Sequence, residues 1–315
     1  MFVSIVLPTH NRAQILLRTL ALYGHQTGLK DDFEVILVDD ASCDETDFVV
    51  KHAVRTVRYP LVTRRLDRNS GPSHARNVAI DLAQGELIVF GGDDILPAAD
   101  FVARHREWHL HRHPEETAAM VGRITWSPEM PPTALLRWLE DKGTQFHYSD
   151  MHDGDRVGPD RFYTSNVSVK RALLTRTGQR FNETLRFCED SEFATRLARD
   201  GMTLYFNAAA HAHHLHPTDL ASSLRRMRSL GLAVAAMEQT APETFDRVTA
   251  GVLDRNAGWR GRLIRLVLAA PMRHWIYRPL AALCERRIFA DRIFALAHAS
   301  AVLEGVKQGR KDAAP

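Results

Sequence analysis

Residues 86–96 read ELIVFGGDDIL. Leu87 to Phe90 is an unbroken apolar run, two glycines follow, and two adjacent aspartates come next. The run has no polar alternation and is too short for a helix, so it reads as a strand buried on both faces. Asp93 and Asp94 then stand side by side at its end. Neighbouring carboxylates raise each other's pKa unless positive charge sits among them. The pair therefore points to a cation or a catalytic task, although an acidic turn has the same composition.

The flanking sequence repeats the pattern. FVSIVLP (2–8) and FEVILVDD (33–40) are further buried-strand runs, and PLVTRRL (60–66) is a shorter strand candidate. Between them, 13–26 and 46–57 have helical spacing. NSGPSHARNVAIDLAQG (69–85) is marked as a helix by Ser70 as cap, Pro72 in the first turn, an Ala75/Val78/Ala79/Leu82 stripe and Gly85 just past the end. Alternating strand and helix means an α/β fold with a mostly parallel sheet between helices. Such sheets bind ligands beyond the carboxyl ends of their strands. Asp39, Asp40, Asp93 and Asp94 all fall at such ends. Separately, each pair is an ordinary turn. Together they read as a site, and hard oxygen donors suit Mn²⁺ or Mg²⁺ bridging to phosphate.

Further along, the pattern gives a His-rich helix over 100–113, a strand over 119–126 and a Pro/Gly/Asp-rich loop over 127–160. A strand over 161–171, a helix over 188–201 and a strand over 202–207 follow. His105, His109 and His113 share one helical face and are expected to pack or to be solvated rather than to bind zinc, because no acid or cysteine completes a set. His211, His213, His214 and His216 are expected in a loop past the last strand, near the aspartates, where one could bind metal. Asp190, opening a helix, is expected as a cap on local grounds, though the same place could hold a general base.

Composition narrows the class. The chain has 315 residues, 45% of them hydrophobic and 25% charged, with a formal net charge of +3. This is an ordinary globular balance and does not argue for nucleic acid. Residues 251–315 carry 12 Lys and Arg against 5 Asp and Glu, so the tail is basic. RGRLIRLVLAAPMRHWIYRPL and ERRIFADRIFALAHASAVL fit either amphipathic helices on an anionic membrane or a helical cap with a basic exterior. Cys43, Cys188 and Cys284 have no metal spacing and suit a reducing compartment. MFVSIVLPTHN lacks a secretory pattern, and no stretch reaches membrane-span length. The expected location is cytoplasmic, with peripheral contact at the inner membrane face. GxGxxG is absent after the first strand, where PTHNR stands, and GxxxxGK[ST] is absent throughout, which disfavours dinucleotide and P-loop enzymes.

VSIVLPTHNR (3–12), FEVILVDDASCDET (33–46), RNSGPSHARNVAI (68–80), GELIVFGGDDIL (85–96) and CEDSEFATRLARDG (188–201) together resemble the family 2 glycosyltransferases of the GT-A fold. The resemblance covers roughly the first 210 residues and implies an inverting transferase using a nucleotide-diphosphate sugar, with a UDP-sugar the expected donor. It implies that Pro8, Thr9, Asn11, Arg12, Asp39, Asp40, Gly71, Arg76 and Asp93 bind the donor. Asp94, Asp93 and His214, or else His216, would hold Mn²⁺ or Mg²⁺, and Asp190 would deprotonate the acceptor hydroxyl. Residues 1–217 would form the catalytic domain, and 218–315 a basic helical region meeting membrane or acceptor. The implied acceptor is a cell-surface or lipid-linked glycan or similar. Gly91 stands where many members carry another aspartate. That leaves a catalytically weak nucleotide-sugar-binding or scaffold protein as an alternative, beside a sugar nucleotidyltransferase.

Overall fold

The computed structural model describes residues 1–27, 32–143, 145–240, 242, 245 and 290–312. In chain order the first elements are Val3–Thr9 (β1), Ala13–Tyr23 (α1), Phe33–Asp39 (β2), Thr46–Thr56 (α2), Leu61–Arg65 (β3), Pro72–Leu82 (α3), Leu87–Gly91 (β4) and Ile95–Pro97 (β5). β1 pairs in parallel with β2 and with β4, and β2 pairs in parallel with β3. Val3, Ile5, Val6, Val35, Ile36, Ile88, Val89 and Phe90 have no solvent exposure. Burying such a side chain contributes about 1.5–3 kcal/mol. The unbroken apolar runs reflect a sheet covered on both faces.

Phe101–Glu107 (α4) then passes into a π turn at Trp108–Arg112. Ala118–Trp126 (β6), Ala134–Asp141 (α5), Arg156–Val157 (β7), Asn166–Lys170 (β8), Arg171–Thr177 (α6), Glu189–Arg199 (α7), Thr203–His214 (β9), Leu220–Thr240 (α8) and Ala290–Asp312 (α9) follow. Among the described residues nine strands form one mixed sheet, ordered β3-β2-β1-β4-β8-β6-β9-β5, with β7 against β9.

Several local expectations are corrected. Ser70 does not cap α3. Gly71 occupies the cap position with φ 92°, and the Ser70 amide donates to Asp40 instead. Gly85 does not end that helix, which closes at Ala83 in extended backbone. Its small size serves packing, because a Cβ there would lie 2.5 Å from the Ser4 amide nitrogen. The stretch 127–160 contains α5, whose Leu135, Leu136, Trp138 and Leu139 are buried and whose amide of Leu136 is capped by Thr133. β9 runs seven residues past Asn207, so His211, His213 and His214 are strand residues.

The chain divides into two units, 1–129 with 151–216, and 130–150 with 217–315. Residues 130–150, placed with the sheet by the sequence pattern, group with the helical unit because Trp138 packs on Phe294 and His298, at ring distances of 5.8 and 4.7 Å. The basic stretch 260–280 and the start of the next lie outside the described residues. No helix among the described residues is long and apolar enough to cross a membrane.

Within the helical unit α8 and α9 touch backbone to backbone. A Cβ on Gly231 would strike the carbonyl oxygen of Val302, one on Gly305 that of Arg228, and one on Gly309 would lie 2.8 Å from the Ala235 Cβ. Gly305→Leu is therefore expected to destabilise this unit by about 1–3 kcal/mol or more through overpacking. Thermal unfolding followed by far-UV circular dichroism checks it, and an unchanged unfolding profile would contradict the close approach.

Candidate active site

Thr9 joins the ends of three neighbouring strands. Its carbonyl accepts the Asp40 amide at 2.9 Å, and its hydroxyl donates to Asp93 Oδ2 at 2.7 Å. Asp39, 4% exposed, accepts from the Ser42 amide at 2.9 Å and from Arg65 Nη1 at 3.2 Å. Asp40, equally buried, accepts the amides of Ser70 and Gly71, both at 2.7 Å. Its carboxylate is thus committed to shaping the entry to α3. Gly71 is required there twice over, by its positive φ and because the Arg186 guanidinium occupies the space of a side chain. Pro8 continues β1 opposite Val38. Asn11, at φ 53°, receives the Cys43 amide on Oδ1 and donates its own amide to Ser42.

Asp94 gathers positive and imidazole groups. Its Oδ2 lies 3.4 Å from Arg12 Nη1, 3.5 Å from His214 Nε2 and 3.1 Å from His216 Nδ1. β5 brings this about by pairing antiparallel with β9, Ile95 opposite His214, while the Leu215 amide donates to the Asp94 carbonyl at 2.9 Å. His214 is stacked on Trp126 at 4.9 Å and on His216 at 5.5 Å. Burial opposes the charge on Asp94, but the two histidines and Arg12 outweigh it and hold the carboxyl well below the usual range. Asp93 behaves oppositely. Burial first, and then the Asp94 charge, push its pKa up, while Thr9 and Arg12 counteract in part.

Donor atoms of Asp94, His214 and His216 all lie within 4.8 Å of one another. His216 Nδ1 also lies 3.1 Å from Arg12 Nη1, so one nitrogen faces both a cation and a carboxylate. A neutral imidazole nitrogen cannot donate and accept at once. One carboxylate and two imidazoles converging in this way fit a divalent cation. Asp93, whose carboxylate turns to Thr9, stands outside the cluster, and His216 stands within it.

A second group forms across α3 and α7. Arg76 Nη1 donates to Glu189 Oε1 at 2.8 Å, both side chains being about a tenth exposed, and the guanidinium lies 5.4 Å above the Phe181 ring. Asp190 follows Glu189 in the first turn of α7 and accepts the Ser191 amide at 2.8 Å. Burial, then the Glu189 charge, raise its pKa to about 6, with Arg76 pulling the other way. Cys188 precedes it in left-handed backbone, φ 56°. α3 links the two groups, with Gly71 at its start and Arg76 within it.

Gly91 is turned away from the cluster. A Cβ there would meet Tyr23 Oη at 3.1 Å and the side chains of Leu7 and Ile5. An aspartate at this position would be buried beside Tyr23. His105 and His109 are packed, not solvated, and bond to Ser168 and Asn166. His211 and His213 both face Thr125 Oγ1, at 2.9 and 3.1 Å. The sequence did not single out Arg65 or Trp126, since nothing local distinguishes them from surface or core residues, and it marked Glu189 only as an acid at a helix start, not as the partner of Arg76.

A mixed sheet carrying acids beyond the carboxyl ends of its parallel strands, with a later strand bringing histidines to them, has the fold of the GT-A glycosyltransferases. A mannosyltransferase from Pyrobaculum calidifontis, solved with GDP-Man and Mn²⁺, superposes with TM-score 0.66 at 22% identity, over 99% of this chain and 88% of that one. TarS of S. aureus, residues 1–349 with UDP, gives TM-score 0.58 at 18% identity, over 98% and 92%. Residues 4–153 match the model of glycosyl transferase family 2. An uncharacterized glycosyltransferase, YfnE of Bacillus subtilis, is 24% identical over 79% of this chain and 77% of its own length. Validoxylamine A glucosyltransferase of Streptomyces hygroscopicus subsp. jinggangensis is 30% identical over 64% of this chain, which spans about half of that protein.

The raised pKa of Asp190 has a measurable consequence for stability. The folded state binds this proton more tightly than the unfolded chain, whose aspartate titrates near 3.9. Its contribution is therefore fully present below about pH 4 and is lost as pH rises through about 6. Asp190→Asn is expected to match wild-type stability near pH 4 and to exceed it at pH 7. Urea midpoints across pH 4–8 check this, and a variant less stable at pH 7 would contradict the burial of charge at this position.

Proposed function

We propose that the protein is an inverting glycosyltransferase that moves a sugar from a nucleoside-diphosphate sugar, a UDP-sugar being favoured, to a hydroxyl of a glycan or lipid-linked acceptor. The observation that carries this reading is the convergence of Asp94, His214 and His216 at the end of β4, beside Thr9 and Asp39 and on the same α/β frame as Asp190. Asp39 keeps acceptor capacity on its oxygens after the Ser42 and Arg65 bonds, which suits the imide N–H of a pyrimidine. Thr9, Asn11, Gly71 and Arg12 would line the nucleotide, and Arg76 would lie beside it.

A divalent cation held by Asp94, His214 and His216 would supply positive charge for the departing diphosphate. Two imidazoles with one carboxylate suit Mn²⁺ better than Mg²⁺, which prefers oxygen donors. Arg12 adds a fixed cation on the same side. Asp190 takes the proton of the incoming hydroxyl at its carboxylate, and its raised pKa makes it a stronger base than a free aspartate near neutrality. In-line attack then inverts the anomeric centre. The orientation of Gly91 weighs against a merely binding or scaffold role, because an aspartate there would not reach the cluster.

The experiment is a thermal-shift panel of UDP-, GDP- and dTDP-sugars with and without Mn²⁺, followed by turnover with the stabilising donor. A bound donor raises the midpoint by mass action. One UDP-sugar is expected to stabilise the wild type only with Mn²⁺, and Asp94→Ala to lose that effect. Asp190→Asn is expected to keep the shift and lose about 10²–10⁴ in turnover. Donor hydrolysis or transfer that Asp190→Asn leaves intact would remove the base from the mechanism, and no shift with any donor would move the scaffold reading ahead.

The basic stretch 251–289, outside the described residues, is proposed to contact anionic membrane, on its charge and aromatic content alone. Replacing Arg260, Arg262 and Arg265 with Glu is expected to abolish co-sedimentation with phosphatidylglycerol vesicles; undiminished sedimentation would refute the contact.

A further inference from the structure

β6 and β9 run in parallel, Asn207 opposite Gly122, and then slip. The next pair is His211 opposite Arg123, so Ala208, Ala209 and Ala210 have no counterpart on β6. Continued in its first register, β9 would set His211 opposite Trp126. The slip sets His214 there, stacked on the indole and 3.5 Å from Asp94. The three-residue bulge thus decides which histidine of the HAHHLH run meets the acid. A register change is normally opposed by the ladder bonds it forfeits, and a buried carbonyl left without a donor is costly.

The Ala208 and Ala209 amides donate to Asp153 Oδ1 and Asn207 Oδ1, and Asn166 on β8 serves the carbonyls. It is fully buried, and its Nδ2 donates to the carbonyl oxygens of Ala210 at 2.9 Å and Arg123 at 3.1 Å, one from each side of the slip. The orientation of its carboxamide is fixed from behind. His105 Nε2 lies 2.9 Å from Asn166 Oδ1, an acceptor only, so that nitrogen carries the proton. His105 Nδ1 must then accept from Ser168 Oγ at 2.9 Å, and Ser168 Oγ accepts from His109 Nε2 at 2.9 Å. The chain of bonds runs one way, from His109 through Ser168 and His105 to Asn166, and leaves the amide N–H₂ facing the bulge. Gly122 completes the clasp, because a Cβ there would strike the Ala210 carbonyl oxygen and come within 2.5 Å of Asn166 Nδ2.

We infer that Asn166, oriented by His105 and admitted by Gly122, is a positioning residue that clasps the β6/β9 bulge and thereby aims His214 at Asp94 to complete the metal site. The inference rests on the cation-binding reading of Asp94, His214 and His216. It adds residues that touch neither metal nor donor.

The test reads Mn²⁺ affinity directly, from the free-ion signal in electron paramagnetic resonance, on full-length protein well below its unfolding temperature. Asn166→Asp keeps the volume but replaces the donating N–H₂ with an acceptor. Gly122→Ala disturbs the same clasp from the opposite side and stands in if the first variant does not fold. Leu204→Ala, on β9 before the bulge and 2% exposed, serves as a comparator that loosens the strand without touching the clasp. Asn166→Asp and Gly122→Ala are expected to weaken Mn²⁺ binding by about 10-fold or more, the scale of outer-shell losses at metal sites, and Leu204→Ala to retain wild-type affinity. Wild-type affinity in both clasp variants, or equal weakening in Leu204→Ala, overturns the positioning role while leaving the metal site standing. A wild type that binds no Mn²⁺ overturns the metal reading itself and the inference with it.

Discussion

Two carboxylates that follow one another at the end of a buried strand cannot both stay charged unaided, and the first unit is organised around that repulsion. The chain resolves it by sending them in different directions. Asp93 turns back to the Thr9 hydroxyl and is pushed toward its neutral form. Asp94 turns outward to Arg12, His214 and His216, which hold it ionised. Neighbours in sequence become unlike groups, one anchoring the end of β1 and the other facing Arg12 and two imidazoles. The separation depends on elements far apart in the chain, since β5 must carry Asp94 onto β9 and Thr9 must arrive on β1.

The same economy appears on the other side of α3. Its first residue is reached through a positive-φ glycine whose amide, with that of Ser70, is held by Asp40. Within the helix Arg76 neutralises Glu189, the residue before Asp190. A buried ion pair of this kind contributes little net stability, because desolvation offsets attraction. Its effect is on placement and charge. Among the described residues it leaves Asp190 with no ion-pair partner of its own, and burial raises its pKa despite the nearby guanidinium.

What the sequence could disclose follows from which signals are local. The parallel strands were legible because strands covered on both faces carry unbroken apolar runs, as Ile5–Leu7 of β1, Val35–Val38 of β2 and Leu87–Phe90 of β4 do. The acids at their ends were legible for the same reason. The extension of β9 was not, because its second half is written in alanines and histidines that carry no strand pattern, and because a bulge breaks the period midway. α5 was hidden by its shortness among prolines and glycines, and its burial comes from partners some 150 residues later. Ser70 had the composition of a cap, but its amide was worth more as a donor to Asp40, and no single-residue preference reveals that.

The histidine run shows most clearly where local reading stops. HAHHLH offers four imidazoles, and their spacing does not say which one meets the acid. That choice is made by a register, the register by three unpaired residues, and those by the hydrogen-bonding capacity of an asparagine on a third strand. A partner of Asp94 chosen by register is sharply defined, since slipping the strand back by three residues would exchange His214 for His211. The polar groups packed between α4 and β8, which composition alone would call a solvated or inert face, therefore belong to the logic of the site. The sequence shows the chemistry the protein can draw on, and the sheet register selects which part of it is used.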